Sequence, residues 1–305
     1  MVQQPTDVAS ANGVAGNGTT SVIHDIGYQR YEGARLGRSF ALWSLYVHSM
    51  RSAFGIGRGA KAKIFPWLII AIATAYALIV VAVRTLVPVE EFTITYRAYA
   101  VGMSYPVMMF LAIIAPELVS RDLRDKVLPL YFSRPLKRSD YALTKLAAMI
   151  SAVLLLLGVP QLVIFAGAAF SQDKGWSGAW TEFKDLVPGL VAAGVYALVL
   201  SGLSLLVASL TGRRAFAAAG VVAVFLITTP VVGIIYAIGD QTVQELAWLG
   251  NPMTAVTGVM EWFYGPDVGN QPLVGDFGPV YGLATLTLVA TCVALLLARY
   301  RKVAS

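Results

Sequence analysis

The chain has 305 residues, of which 57% are apolar and 13% charged, with a net charge of +6. Soluble domains run nearer 45–50% apolar and about 25% charged, so a chain with a mean hydropathy of +0.68 has too little charge to wet its surface. This excludes a soluble two-domain body, a disordered chain and, despite the basic balance, a nucleic-acid module. The sequence predicts an all-α integral membrane protein.

The first residues are polar, with Gly/Ser/Thr/Asn/Ala-rich text over 9–21. They lack the charged start, apolar stretch and cleavage site of a signal peptide, and 1–25 is expected to be a flexible cytoplasmic tail. Residues 26–63 form a cytoplasmic and interfacial elbow region. Within it, 40–54 reads as an amphipathic helix: Trp43, Tyr46, Val47, Met50 and Phe54 share one face at helical spacing, and Ser44, His48, Arg51 and Ser52 share the other. Such a helix lies in the headgroup plane with its aromatics buried and Arg51 turned to phosphates or cytosol. Gly55, Gly57 and Gly59 follow as a turn. The stretch is no phosphate loop, because the spacing needs Gly where Ala60 stands.

A helix needs roughly 20 apolar residues to cross the hydrocarbon. Six stretches qualify, at 64–87, 98–115, 141–170, 186–210, 215–239 and 280–298, within a membrane domain spanning 64–298. Pro106, Pro160 and Pro230 are expected to kink three of them. Of the 23 Lys and Arg residues, all but Arg84, Arg97, Lys174 and Lys184 fall in the loops and ends of one side. By the positive-inside rule that side, with both termini and the short tail 299–305, is cytoplasmic in a multi-pass cell-membrane protein. Arg84 is expected to snorkel outward, and Lys145 to snorkel from the start of span three. The two histidines, His24 and His48, precede the first span, and the single Cys292 lies in an apolar run. That leaves no internal disulfide, and no histidine base or His-ligated metal within the bilayer.

Between spans two and three, Pro116 opens a predicted cytoplasmic helix at 116–129, with Glu117, Arg121, Asp122 and Arg124 on its flanks. By composition this is an ordinary solvated positive-inside loop. The text APELVSRDLRDKVLPLYFSRPLKRSDYALTKL at 115–146, however, resembles the ABC-2 type permeases of ABC transporters. Those carry an acidic residue leaving span two, a charged helix, and an R-P-x-x-R-x-x-Y-x-x-x-K pattern, met here by Arg134, Pro135, Arg138, Tyr141 and Lys145. The order of elbow helix, six spans and long outer segment 240–279 is also similar to that family, as is the Asn-Pro element at Asn251 and Pro252. The resemblance implies that Glu117, Arg121, Asp122 and Arg124 form a coupling helix seated in a separate cytosolic ABC ATPase subunit. It implies a second permease copy or a homologous one. No Walker motif occurs in the sequence, so this chain binds no cofactor of its own and has no ATPase site. ATP and Mg belong to the partner.

No span carries an ionisable group near its middle, which argues against a proton relay, ion filter or voltage sensor. An amphipathic or hydrophobic cargo, exported past Tyr105, Gln161, Ser201, Ser204, Phe225, Thr228 and Thr229, fits better; such Ser and Thr also commonly bond a neighbouring helix. In the outer segment Trp248, Trp262 and Tyr264 suit an interface belt; the family likeness suggests short re-entrant or interfacial helices acting as an outer gate, and a passive outer cap is equally consistent with the residues. The alternatives are a membrane-embedded enzyme acting on lipid, for which convergent acid, base or metal groups are wanting, and a non-catalytic assembly or channel subunit. Membrane lipids are partners under every reading, and nucleic acid under none.

Overall fold

The apolar stretches fold as helices, and the described residues contain no strand. The structure, a computed structural model, describes residues 33, 36–86, 94–171, 175–266 and 274–302. The expected tail at 1–25, the elbow region at 26–32 and 34–35, position 87 of the first span, Lys174, residues 267–273 of the outer segment and 303–305 lie outside them. The described residues from 36 on belong to one compact unit.

The helices are α1 (Arg38–Ala53), α2 (Ala60–Leu86), α3 (Tyr96–Gly102), α4 (Ser104–Ala115), α5 (Arg121–Arg124), α6 (Leu128–Phe132), α7 (Arg138–Ser171), α8 (Gly175–Ser209), α9 (Arg214–Ile238), α10 (Gln241–Ala247), α11 (Pro252–Tyr264) and α12 (Gly278–Lys302). Among the described residues five elements are long and apolar enough to cross a membrane: α2, α7, α8, α9 and α12 with its short lead. The predicted second span, 98–115, expected to kink at Pro106, is a bent pair, and it makes a sixth crossing if the pair is one span. Tyr96–Gly102 and Ser104–Arg124 meet at 46°. Pro106 accounts for the position of the break, because its ring would strike the carbonyl four residues back, at Gly102. Pro160 and Pro230, expected to kink their spans, lie inside α7 and α9, whose helical runs continue through them.

The predicted helix at 116–129 is corrected. Pro116 does not open a new helix; α4 runs on through a π-type turn over Pro116–Ser120 into α5 and stops at Arg124. A proline without an N–H is tolerated where the wider π turn re-spaces the backbone bonds. The chain then turns with Lys126 at φ 50 and forms the separate short α6.

Hydrogen bonds draw the predicted same-side loops to one end, here called the basic end. Ser120 Oγ donates to the Ala208 carbonyl at 2.7 Å, Arg138 to the Arg301 carbonyl at 2.7 Å, and Arg299 to the Ser209 carbonyl at 3.4 Å. Tyr141 packs on Tyr300 with ring centroids 5.1 Å apart. The ends of α4, α7, α8 and α12 therefore meet where the charge pattern places them.

Tyrosines do much of the packing. Tyr96, Tyr99, Tyr141, Tyr196, Tyr281 and Tyr300 are all buried, and most of their hydroxyls find partners, as a buried O–H must. Tyr99 donates to the Ala73 carbonyl at 3.0 Å, Tyr196 shares a bond with Thr257 at 2.9 Å, and Tyr281 donates to the Glu245 carbonyl at 2.6 Å. The most extensive helix pair is α7 with α8. There Gly189 lets Tyr96 and Gln161 close over α8: an added Cβ would meet the Tyr96 Cβ, and the Gln161 Oε1 at 2.6 Å. Gly189→Ala is therefore expected to cost about 1–3 kcal/mol through overpacking. The check is the thermal midpoint at which buried Cys292, the chain's only thiol, becomes reactive to a fluorogenic maleimide.

Helix α1 packs against α7. Its buried positions are Leu45, Ser49, Ser52 and Ala53, so the expected division of faces is shifted. Ser52, assigned to the polar side, is inside. Phe40 and Trp43 remain exposed, Met50 and Phe54 pack on the core, and Arg51 is exposed. Tyr46 stacks on Trp43 and donates its hydroxyl to Ser151 Oγ at 2.8 Å.

Candidate functional site

At the basic end, the π turn and α5 carry a set of ion pairs that reach three other parts of the chain. Glu117, 10% exposed, accepts Arg58 from the α1–α2 turn at 2.6 Å, Arg121 from the next turn of its own helix at 3.0 Å, and Arg214 from the start of α9 at 3.1 Å. The α1–α2 turn is shaped by Gly55 at φ 67, where any Cβ would strike the Ala62 carbonyl. One helical position further round, Asp122 binds Lys145 of α7 at 3.0 Å and accepts the Tyr141 hydroxyl at 2.6 Å. Lys145 is only 4% exposed. The expectation that it snorkels is thus corrected: its ammonium stays inside because a carboxylate meets it there.

The four residues read as one coupling set therefore divide by surroundings. Glu117 and Asp122 face inward and hold the segment to the rest of the fold. Arg121 and Arg124 have side chains 49% and 57% exposed, with Asp125 bonded to Arg124 at 3.0 Å. That guanidinium holds the Asp125 carboxyl below the usual range. Gly212, beyond the end of α8, packs against the Arg124 backbone, so α5 is braced on one side and open on the other.

Beside this cluster a cavity of about 490 Å³ lies between α1 and the 121–131 segment, walled by His48, Arg58, Glu117, Arg121, Asp122 and Tyr131 among others. Burial pushes the His48 imidazole below its ordinary pKa, reinforced by Lys145. Burial raises the Tyr131 phenol. The cavity wall thus mixes cations and anions, unlike the mainly apolar lining of a small-molecule pocket.

The residues expected along a cargo path stand in different surroundings, with Phe225, Thr228 and Thr229 together on α9. Phe225 is buried in the core, and Tyr105 is 48% exposed. Thr228 donates to the Val224 carbonyl at 2.9 Å, and Thr229 to that of Phe225 at 3.2 Å while accepting Asn251 Nδ2 at 2.9 Å. Gln161, Ser201 and Ser204 are buried with side-chain atoms that find no hydrogen-bond partner. None of these seven lines the cavity at the basic end, the groove between α1 and α7, or a third cavity of about 240 Å³ between α3, α8 and α11.

The opposite end holds a cluster that sequence reasoning missed. Arg84 does not snorkel. Its side chain is 13% exposed, pairs with Glu182 at 3.3 Å, donates to the Ile94 carbonyl at 2.5 Å and sits 4.9 Å from the centre of the Tyr96 ring. Tyr96 donates to the same carboxylate at 2.9 Å. Glu182 was hidden because α8 begins at Gly175 rather than at 186; the usable signal was Arg84 near the end of one apolar stretch and the Glu182, Lys184 and Asp185 charges just before another. Nearby, Asn251 explains the Asn-Pro element: its side chain accepts the Met253 N–H at 2.8 Å and caps α11, with Pro252 at the first helical position. In the outer segment α10 and α11 are the short helices expected there. Trp262 and Tyr264 are exposed, while Trp248 packs on Tyr236.

No protein-family model matches the chain, and no curated protein sequence matches it significantly.

Proposed function

We propose that the chain is the membrane-spanning permease subunit of an ATP-driven transporter of the ABC-2 type, powered by a separate ATPase subunit. One observation carries the reading. The segment that resembles a coupling helix is ion-paired to the α1–α2 turn, α7 and α9, while Arg121 and Arg124 stay open to a partner. A rigid charged rod tied to several spans passes a partner's movement to all of them at once, and its exposed charges set register more than affinity. In this reading α5 faces the cytosol, two permease chains assemble with two ATPase chains, and ATP and Mg bind only in the latter. The cargo is an amphipathic or hydrophobic molecule, since no ion-conducting chain of charges crosses the spans.

The test is capture from the host's own membranes. The tagged chain, solubilised in mild detergent, is expected to retain a P-loop ATPase and to hydrolyse no ATP once stripped of it. Arg121→Ala with Arg124→Ala is expected to reduce that capture about tenfold, as loss of two interface charges does. Capture unchanged by the double substitution sinks the coupling role. ATP-independent conductance of the chain in liposomes favours a channel subunit instead.

A further inference from the structure

We propose that the cavity of about 240 Å³ between α3, α8 and α11 is a binding site for a small uncharged aromatic molecule that carries one hydrogen-bond donor. The inference rests on the packing of these three helices and not on the transporter reading. The bend at Met103 sets the last turn of α3 out of line with α4, and Ala98 and Val101 of that turn form one wall. Ala192 and Tyr196 of α8 form the second wall, and Thr257 and Met260 of α11 the third. Ala192, Tyr196 and Met260 are buried while Val101 is exposed, so the cavity is closed at its floor and open at the α3 rim.

Size sets the bulk of the ligand. An apolar cavity of about 150 Å³ holds one benzene, so 240 Å³ holds in proportion about ten non-hydrogen atoms, a molecule of two fused rings. The Met260 thioether in the wall favours an aromatic body, because its sulfur makes good contacts with ring edges. The polar groups set the chemistry. The Tyr196 hydroxyl and Thr257 Oγ1 are 2.9 Å apart, and the Met253 carbonyl lies 3.3 Å from the first and 3.4 Å from the second. Two hydroxyls bring two protons and four lone pairs. One proton lies between the hydroxyls and the other is turned to the carbonyl, which leaves three lone pairs outside these bonds. The pair therefore accepts a hydrogen bond from a ligand and has no proton to give it. Charge on the wall is balanced: Arg97, which donates to the Gly265 carbonyl at 2.7 Å, stands with the buried Glu261. An ionic ligand of either sign meets its like as well as its opposite there, after losing its water. A neutral double ring with one N–H or O–H meets all three conditions.

The experiment is equilibrium dialysis of the full chain in detergent against radiolabelled indole, a double ring with one N–H, with empty micelles as the reference. One saturable site per chain is expected, with a Kd on the order of 0.1 mM for so small a ligand. Indene, the same double ring without the N–H, is expected to bind about fivefold more weakly, the worth of one hydrogen bond. Tyr196→Phe with Thr257→Val removes both acceptors at nearly constant volume. It is expected to weaken indole about fivefold and to leave indene unchanged, a difference that general loosening of the fold does not produce. Ala98→Phe, which fills the cavity, is expected to reduce the binding of both more than about tenfold. Circular dichroism and the unreactive Cys292 thiol establish that each variant is folded; Val101→Trp replaces Ala98→Phe if that one is not. Indole uptake no greater than that of empty micelles, in two detergents of different chain length, overturns the site, as does uptake unchanged in a folded cavity-filled variant. Equal binding of indole and indene, or tighter binding of indole-3-acetate or tryptamine than of indole, overturns the ligand class.

Discussion

Glu117→Gln is expected to lower the stability of the folded chain by about 3 kcal/mol, the low end of the range for removing one member of a buried ionic cluster. The carboxylate is 10% exposed and three guanidiniums from three segments converge on it. Without it, Arg58, Arg121 and Arg214 repel one another around an amide that neutralises none of them. The penalty stays near the low end because Arg121 and Arg214 are 49% and 59% exposed and can turn to solvent. Arg58, at 23%, cannot do so as freely. The midpoint for Cys292 exposure is expected to fall by about 6–12 °C, taking 2–4 °C per kcal/mol for a chain of this class. Arg214→Ala removes only an exposed arm and is expected to cost under about 1 kcal/mol. A Glu117→Gln variant as stable as the parent means that the three arginines do not depend on this carboxylate. Because the substitution also loosens the α1–α2 turn and the start of α9, under the proposed permease role it is expected to impair coupling to an ATPase partner even where assembly survives.

Asp122→Asn is expected to be more damaging still, by about 3–5 kcal/mol. Lys145 is 4% exposed, at the wall of the cavity between α1 and the 121–131 segment, so its ammonium is left poorly solvated and unpaired once the carboxylate at 3.0 Å is gone. The Tyr141 hydroxyl, which donates to that carboxylate at 2.6 Å, is left with a weaker acceptor. The telling comparison is the pair Asp122→Asn with Lys145→Met. Removing the charge as well as its partner is expected to restore most of the lost stability, since an apolar side chain of similar length costs nothing to bury. A double variant no better than the single one would show that the two groups act independently. This pair and the Glu117 cluster sit on successive positions of one short segment, so the two experiments separate its attachment to α7 from its attachment to the α1–α2 turn and α9.

How much of this was readable in advance follows from the kind of signal each feature leaves. Long apolar runs fix a helix without reference to anything else, because in an apolar medium each backbone N–H and C=O must be satisfied within its own segment. The five long helices are therefore legible from local text, and so is the gathering of Lys and Arg loops at one end. The bend at Met103 was half legible: Pro106 announced it, but only the carbonyl four residues back tells where it falls. The length of α8 was not legible, because Trp176, Trp180 and Phe183 alternate with Glu182, Lys184 and Asp185 and read as loop text. Residues 116–129 misled for the opposite reason. A proline before an acidic residue is a common helix start, yet here a π turn absorbs it within a longer helix.

The sequence by itself determined that this is a chain of apolar helices whose basic loops share a side, because length, hydropathy and charge act residue by residue. Only the tertiary structure decided what the charged groups do. Arg84 and Lys145 both looked like surface cations, and each is buried against a carboxylate brought from another helix. Glu117 and Arg121 looked equivalent, and one turned inward while the other stayed open. Whether a charge can be buried depends on where its partner lies in space, and these partners lie 23 to 98 residues away along the chain, as Asp122 does from Lys145 and Glu182 from Arg84.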